Sequence, residues 1–333
     1  MTKYNIENLA GQRLMAGFNG TSLNNDIKEL IKDFKIGGLI LFSRNIESPK
    51  QIKNLCLSIQ EYAAYSDIPP VFISIDQEGG EVARLKNPFV KSFPGNPGIK
   101  NKKHAIDFAK TTAQLLKNVH INMNMAPVMD YVPMGFNSIM KNRVFKGTPK
   151  KIAELGCYVI NEMQKHKVMA CAKHFPGIGR TELDSHIDRP VLMKNFEILE
   201  KTDFIPFIAA KNSNVSAIML SHILYPELDE KWSASLSPKI ANNLLRQKIG
   251  YKGLIITDDL DMKAVKHDIK TCIKQIIRAE IDIALICHKG PPGIKKAFQK
   301  ISQLFSDNKE LFLKGIESFK RIIKAKEKYL IVS

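Results

Sequence analysis

Residues 168–189 read VMACAKHFPGIGRTELDSHIDR. An apolar run, Val168 to Ala172, passes without a break into Lys173 and His174, then into a Pro-Gly-x-Gly turn at Pro176, Gly177 and Gly179. Uninterrupted apolar residues of this length suit a strand buried on both faces, as in a parallel sheet covered by helices. Titratable residues at the end of such a strand look like a functional loop on a rigid support. The proline and glycines make the turn read as a hinge. Beyond it, the DSH triplet sets Asp184 two residues from His186. There a carboxylate can orient the imidazole and raise its pKa for general acid–base work. A solvated turn with idle histidines is the plain alternative.

The same unit recurs along the chain. Short β-branched runs lie at Leu14 to Gly20, Gly38 to Ser43, Val71 to Asp76, Ile121 to Met129, Val168 to His174, Val215 to Ser221, Gly253 to Thr257 and Ile281 to Cys287. Between most of them the apolar residues fall at helical spacing, as in Asp26 to Phe34, Gln51 to Tyr62 and Lys151 to Gln164. Eight strand–helix units predict an α/β fold, a single closed (β/α)8 barrel of the TIM type, in preference to an open doubly wound sheet. One domain over residues 1–333 is the economical division, with a terminal helix at about 308–329 carrying a basic outer face. Residues 87–103, rich in Pro, Gly and Lys, read as a long loop after the third strand.

In a barrel the C-terminal ends of all strands open onto one face, where active sites sit. The polar residues of this chain fall there. Arg44 and Asn45 follow the second run, Asp76 ends the third, and Asp130 follows the fourth. Lys173 and His174 end the fifth, His222 follows the sixth, Asp258 and Asp259 follow the seventh, and His288 follows the eighth.

Composition limits the function classes. Hydrophobic residues make up 44% of the 333 positions and charged residues 25%, as in a globular protein. No stretch nears the 18 or so apolar residues of a membrane-spanning helix, and the first residues lack the pattern of a signal peptide. A cytoplasmic protein is expected. The five cysteines, Cys56, Cys157, Cys171, Cys272 and Cys287, form no CxxC pair. They read as small core residues in a reducing compartment. The net charge of +17 is spread along the chain, without aromatics interleaved among the lysines, which argues against nucleic acid.

Individual motifs have competing readings. Asp258 ends an apolar run in GLIITDDLDMKAV and suits a nucleophile, a general base or a metal ligand, while Asp259 or Asp261 suits the N-cap of a helix beginning at Met262 to Val265. In SIDQEGGEVARL the Gly79-Gly80 pair permits a tight turn that returns Arg84 toward Asp76; strand-end capping is the plain role for Asp76. This loop lacks the spacing of a phosphate cradle, and no cofactor is expected. Arg143, between Lys141 and Lys146, reads from its neighbours as a surface arginine. His174, Asp184, His186, His222 and Asp258 could together compose a metal site. Yet no HxH pair lies on a strand, and a hinged loop suits fixed coordination poorly, so no metal is expected.

Taken together these segments resemble glycoside hydrolase family 3, and within it the single-domain β-N-acetylglucosaminidases that act on peptidoglycan fragments. The resemblance runs through GGLILFSRN, IDQEGGEVARL, NMAPVMD, NRVFKG, AKHFPGIGRTELDSH, SHILYPELD and ITDDLDM, in the family's order. It implies a retaining, two-step hydrolysis of terminal β-linked GlcNAc with Asp258 as nucleophile and His186 as acid/base, oriented by Asp184. It also implies sugar contacts from Asp76, Arg84, Arg143, Lys173 and His174. A monomer is expected, with a small GlcNAc-containing sugar as its partner. Another β-glycosidase or a β-GlcNAc phosphorylase of the same family, or a metal-dependent barrel hydrolase, are the alternatives. The chain departs from the family's common PGHGDT loop at Ile178 and Arg180, which bears on loop closure. It also carries Glu280 where Gly is frequent, which bears on backbone geometry there.

Overall fold

The computed structural model describes residues 4–90, 94–182 and 190–331. Eight parallel strands close on themselves: β1 (Leu14–Gly17), β2 (Gly38–Leu41), β3 (Phe72–Ile75), β4 (Met123–Asn124), β5 (Met169–Phe175), β6 (Ala217–Leu220), β7 (Leu254–Asp259) and β8 (Ile283–Ile286). Each pairs with the next, and β8 returns to β1 with Met15 opposite Leu285. Every run read as a strand overlaps one, and the closed (β/α)8 barrel is the fold.

The strands are apolar throughout because both faces are covered. Met15, Ile40, Phe72, Met123, Met169, Leu254 and Ile283 point inward and fill the barrel. Their neighbours Leu14, Leu39, Ile73, Ala170, Ile255 and Ala284 join the layer beneath the helices. β4 is shorter than the run that announced it. Pro127 has no amide hydrogen for the ladder, so pairing continues irregularly, with Met129 N donating to Lys173 O at 2.7 Å. That irregular stretch delivers Asp130 beside His174. The helices start on side-chain caps: Ser48 before Pro49–Tyr65, Thr148 before Pro149–Lys165 and Asp268 before Ile269–Arg278. The segment 87–103 holds a short 3₁₀ turn at Asn96–Gly98 and runs into a helix at Lys102.

Glu280 follows the helix Ile269–Arg278 with φ of 56°, the left-handed conformation that favours glycine. The backbone geometry is retained without glycine. Asn242 Nδ2 donates to the Glu280 carboxylate at 2.9 Å, and Lys314 lies 3.6 Å from it.

The helix Lys309–Tyr329 runs beneath the N-terminal ends of the strands. Ile322 and Tyr329 pack against the barrel interior, and Arg321 Nε and Ser318 Oγ both donate at 2.9 Å to the buried Asp282, which precedes β8. Its basic face is not wholly outward: Lys326 is 1% exposed. Lys326 Nζ donates to Gln12 Oε1 at 2.5 Å and lies 5.0 Å from the Phe72 ring centre. Burial pulls the ammonium down to about 7. Its unfolded value is about 10.4, so the penalty is absent above that pH and grows as pH falls toward 7. Lys326→Met should therefore stabilise the protein by roughly 2 kcal/mol near neutrality, with the gain fading toward pH 10. Thermal unfolding across that range checks it; a gain independent of pH would contradict the account.

Candidate active site

The strand ends converge on a cavity of about 390 Å³, a volume suited to a small ligand. Asp76, Arg84, Arg143, Lys173, His174 and Asp258 all line it, so the structure brings together these six sequence-selected residues. Asp184 and His186 lie outside the described residues.

One wall is an ion network. Lys173 Nζ lies 2.8 Å from Asp76 Oδ1 and 2.7 Å from Glu78 Oε1, with the lysine side chain 4% exposed. Arg143 grips Glu78 as a fork, Nε to Oε2 at 3.0 Å and Nη2 to Oε1 at 2.7 Å. Arg84 Nη2 completes the set, 3.4 Å from Asp76 Oδ2. Burial alone would raise both carboxyl pKa values, but Lys173 and the arginines outweigh it, holding Asp76 at about 2 and Glu78 below its ordinary value. The same pairs raise Lys173 and Arg143 against the opposing effect of burial. The network is fully charged at neutral pH.

Glu78 is the residue that sequence reading missed. Its signal was the two-residue alternation past β3, which sets Asp76 and Glu78 on one side and Gln77 on the other. Gln77 turns away to accept from Arg84 N and Leu85 N, tying off a small hairpin of Gln77–Gly79 and Val82–Ala83. Gly79, at φ of 84°, is needed there: a Cβ would stand 2.3 Å from the Pro94 carbonyl oxygen. Arg143 corrects the reading from its neighbours, since Glu78 draws it off the surface.

The opposite wall holds Asp258. It is half-buried, and its Oδ1 accepts from Asp259 N at 2.8 Å. Burial would raise its pKa, but His222, His174, that amide and Lys173 together lower it, so the carboxylate is ionised at neutral pH. Asp259 differs. Its Oδ1 accepts from Asp261 N and Cys287 N, each at 3.0 Å, and burial raises its pKa. Neither Asp259 nor Asp261 caps a helix at Met262 to Val265. That segment is a turn, the next helix is Ile269–Arg278, and Asp268 caps it. Asp261 is instead spent on the next strand end, accepting from His288 N at 2.7 Å and pairing with Lys289 at 2.9 Å.

His222 supports this wall from below. It is buried, with Nδ1 2.6 Å from Ser235 Oγ and Nε2 2.8 Å from the Asp259 carbonyl oxygen. Both ring nitrogens are engaged, which leaves none for a metal. Among the described residues no group of three or more His, Cys, Asp and Glu side chains stands so as to hold one.

A family model for the glycosyl hydrolase family 3 N-terminal domain matches residues 5–321. The chain belongs to glycoside hydrolase family 3. It is 31% identical to a β-hexosaminidase of Nitrosomonas eutropha (strain DSM 101675 / C91 / Nm57), over 83% of this chain and 80% of that one. Against a β-hexosaminidase of Pseudomonas aeruginosa (strain LESB58) the identity is 31%, covering 83% and 82%. Among solved structures, a family 3 β-N-acetylglucosaminidase from Paenibacillus sp. str. FPU-7 superposes with a TM-score of 0.93 at 32% identity. This chain spans 99% of its own length and 64% of that longer one.

The family 3 loop after β5 differs from its sequence reading at the root. Pro176 to Gly179, read as a hinge, forms a buried turn. Ile178 N donates to Asp130 at 2.8 Å, Tyr225 Oη donates to the Gly177 carbonyl at 2.8 Å, and Ile139 N donates to Thr181 O at 3.2 Å. The two departures from the family pattern are absorbed there. Ile178 is buried against the core, and Arg180 Nε pairs with the buried Asp203 at 3.0 Å while Nη2 donates to Thr202 Oγ1 at 3.2 Å. Burial raises the Asp203 pKa, opposed by Thr202 and Arg180.

Proposed function

We propose that this family 3 β-hexosaminidase is an exo-acting β-N-acetylglucosaminidase that removes terminal β-linked GlcNAc from peptidoglycan-derived fragments in the cytoplasm. The observation that carries the reading is Asp258: an ionised, half-buried carboxylate in the cavity, distinct from an Asp259 whose Oδ1 is tied to two backbone amides. No described helix is long and apolar enough to cross a membrane, and all five cysteines are free.

In the first step an Asp258 oxygen attacks the anomeric carbon, the bond to the leaving-group oxygen breaks, and His186 gives that oxygen its proton. In the second, His186 takes a proton from water, the hydroxide oxygen bonds to the anomeric carbon, and Asp258 departs, which retains configuration. Most glycosidases use two carboxylates for this work. An imidazole acid/base oriented by Asp184 adds no second negative charge beside Asp258, an advantage on acidic substrates. Asp76, Arg84, Arg143, Lys173 and His174 supply donors and acceptors for the sugar hydroxyls and the acetamido group. With Glu78 behind it, this wall sets three cations against two carboxylates and offers a hydroxyl-rich sugar both donors and acceptors.

A 2-fluoro glycosyl substrate with a good leaving group should accumulate the glycosyl-enzyme, and peptide mapping should find the label on Asp258. Label on another residue, or none with turnover intact, would overturn the assignment.

A further inference from the structure

We infer that Asp130 is a positioning residue that decides which nitrogen of His174 meets the sugar. The inference rests on the proposal above that His174 contacts the substrate. Asp130 is wholly buried where the irregular end of the β4 segment meets β5. Its Oδ2 lies 2.8 Å from His174 Nδ1, its Oδ1 accepts from Ile178 N at 2.8 Å, and the His174 amide reaches the two oxygens at 3.2 and 3.3 Å. A carboxylate has no hydrogen to offer, so the hydrogen of this contact sits on Nδ1. With Nδ1 held by Asp130, Nε2 is the ring nitrogen left for the cavity that His174 lines.

The consequence is chemical. Lys173, Arg84 and Arg143 can only donate to a sugar, while ionised Asp76 and Asp258 can only accept. His174 is the cavity-lining group among these whose character depends on a tautomer. Asp130 selects the tautomer with its hydrogen on Nδ1, the one whose Nε2 can accept from a sugar hydroxyl. Through the same carboxylate it also holds the Ile178 amide, so the imidazole and the turn after β5 share one anchor.

Asp130→Asn separates these roles. The amide keeps an oxygen for the Ile178 and His174 amides, but places its NH₂ group opposite Nδ1. The hydrogen then moves to Nε2, and the acceptor becomes a donor, as happens when the carboxylate behind a catalytic histidine becomes an amide. Nitrogen-15 spectra of histidine-labelled protein, taken above the pH at which the imidazole signals stop moving, should show His174 protonated at Nδ1 in the parent and at Nε2 in Asp130→Asn. The variant's kcat/KM for a β-GlcNAc substrate should fall by about 10- to 100-fold. In a His174→Ala background the same change should add less than about two-fold.

An Nε2-protonated His174 in the unaltered protein would refute the inference, and this measurement needs no variant to fold. Equal losses in both backgrounds would mean that Asp130 acts by general support, not through His174. A His174→Ala variant with parental kcat/KM would instead sink the sugar contact itself, and this role with it.

Discussion

Asp258→Asn should lower kcat on an aryl β-N-acetylglucosaminide by on the order of 10⁴-fold or more while leaving KM within a few-fold. The two parameters separate because Asp258 lies across the cavity from the groups proposed to hold the sugar. Lys173, Arg84 and Arg143 are fixed by Asp76 and Glu78, and among the described residues none of them forms an ion pair with Asp258. The amide is nearly the size of the carboxylate but has no charge with which to attack or to balance a developing oxocarbenium ion. Asp258→Ala gives a second reading of the same chemistry. The space it vacates should admit azide, which would restore turnover and release a glycosyl azide of the opposite anomeric configuration. Asp258→Asn retaining activity within ten-fold of the parent would end the nucleophile assignment. So would azide rescue yielding a product of retained configuration.

The barrel was readable because a strand covered on both faces is apolar throughout, and eight such runs leave few alternatives. What reading could not supply is pairing at a distance. Lys173 takes its character from Asp76, 97 residues earlier, and His174 from Asp130, 44 residues earlier. Arg143 looked like surface because its flanking lysines are surface-like, while the carboxylate that recruits it stands 65 residues before it. The contacts that hold the Pro-Gly turn were hidden for a related reason. Proline and glycine report that the chain turns, not that the turn is free. Both groups that pin this one, Asp130 and Tyr225, lie 48 residues from their partners in it. The TDDLD aspartates were ambiguous because a carboxylate at a strand end serves equally as nucleophile or as backbone acceptor. Only the two amide donors of Asp261 and Cys287, converging on Asp259, tell them apart.

Lys173→Met should cost both stability and binding, and the pH dependence identifies the cause. Removing one partner of a buried ion network leaves charge without compensation, a loss of about 3 to 5 kcal/mol at neutral pH. Glu78 keeps the Arg143 fork, but Asp76 keeps only Arg84 at 3.4 Å, so Asp76 bears the loss. In the parent, Asp76 sits at about 2, below its unfolded value of about 3.9. Its contribution is present above pH 4 and disappears as pH falls through 2. In the variant, burial without Lys173 places the folded pKa above the unfolded one. Stability is then full below about pH 4 and declines as pH rises through the new value. The thermal midpoint of Lys173→Met should therefore approach that of the parent on moving from pH 7 toward pH 4, and adding Asp76→Asn should recover much of the loss at pH 7. KM should rise as well, since Lys173 lines the cavity and positions Asp76. A variant whose midpoint stays at a constant offset from the parent across that range would mean that Lys173 contributes packing alone, and the network would lose its place as the electrostatic frame of the sugar site.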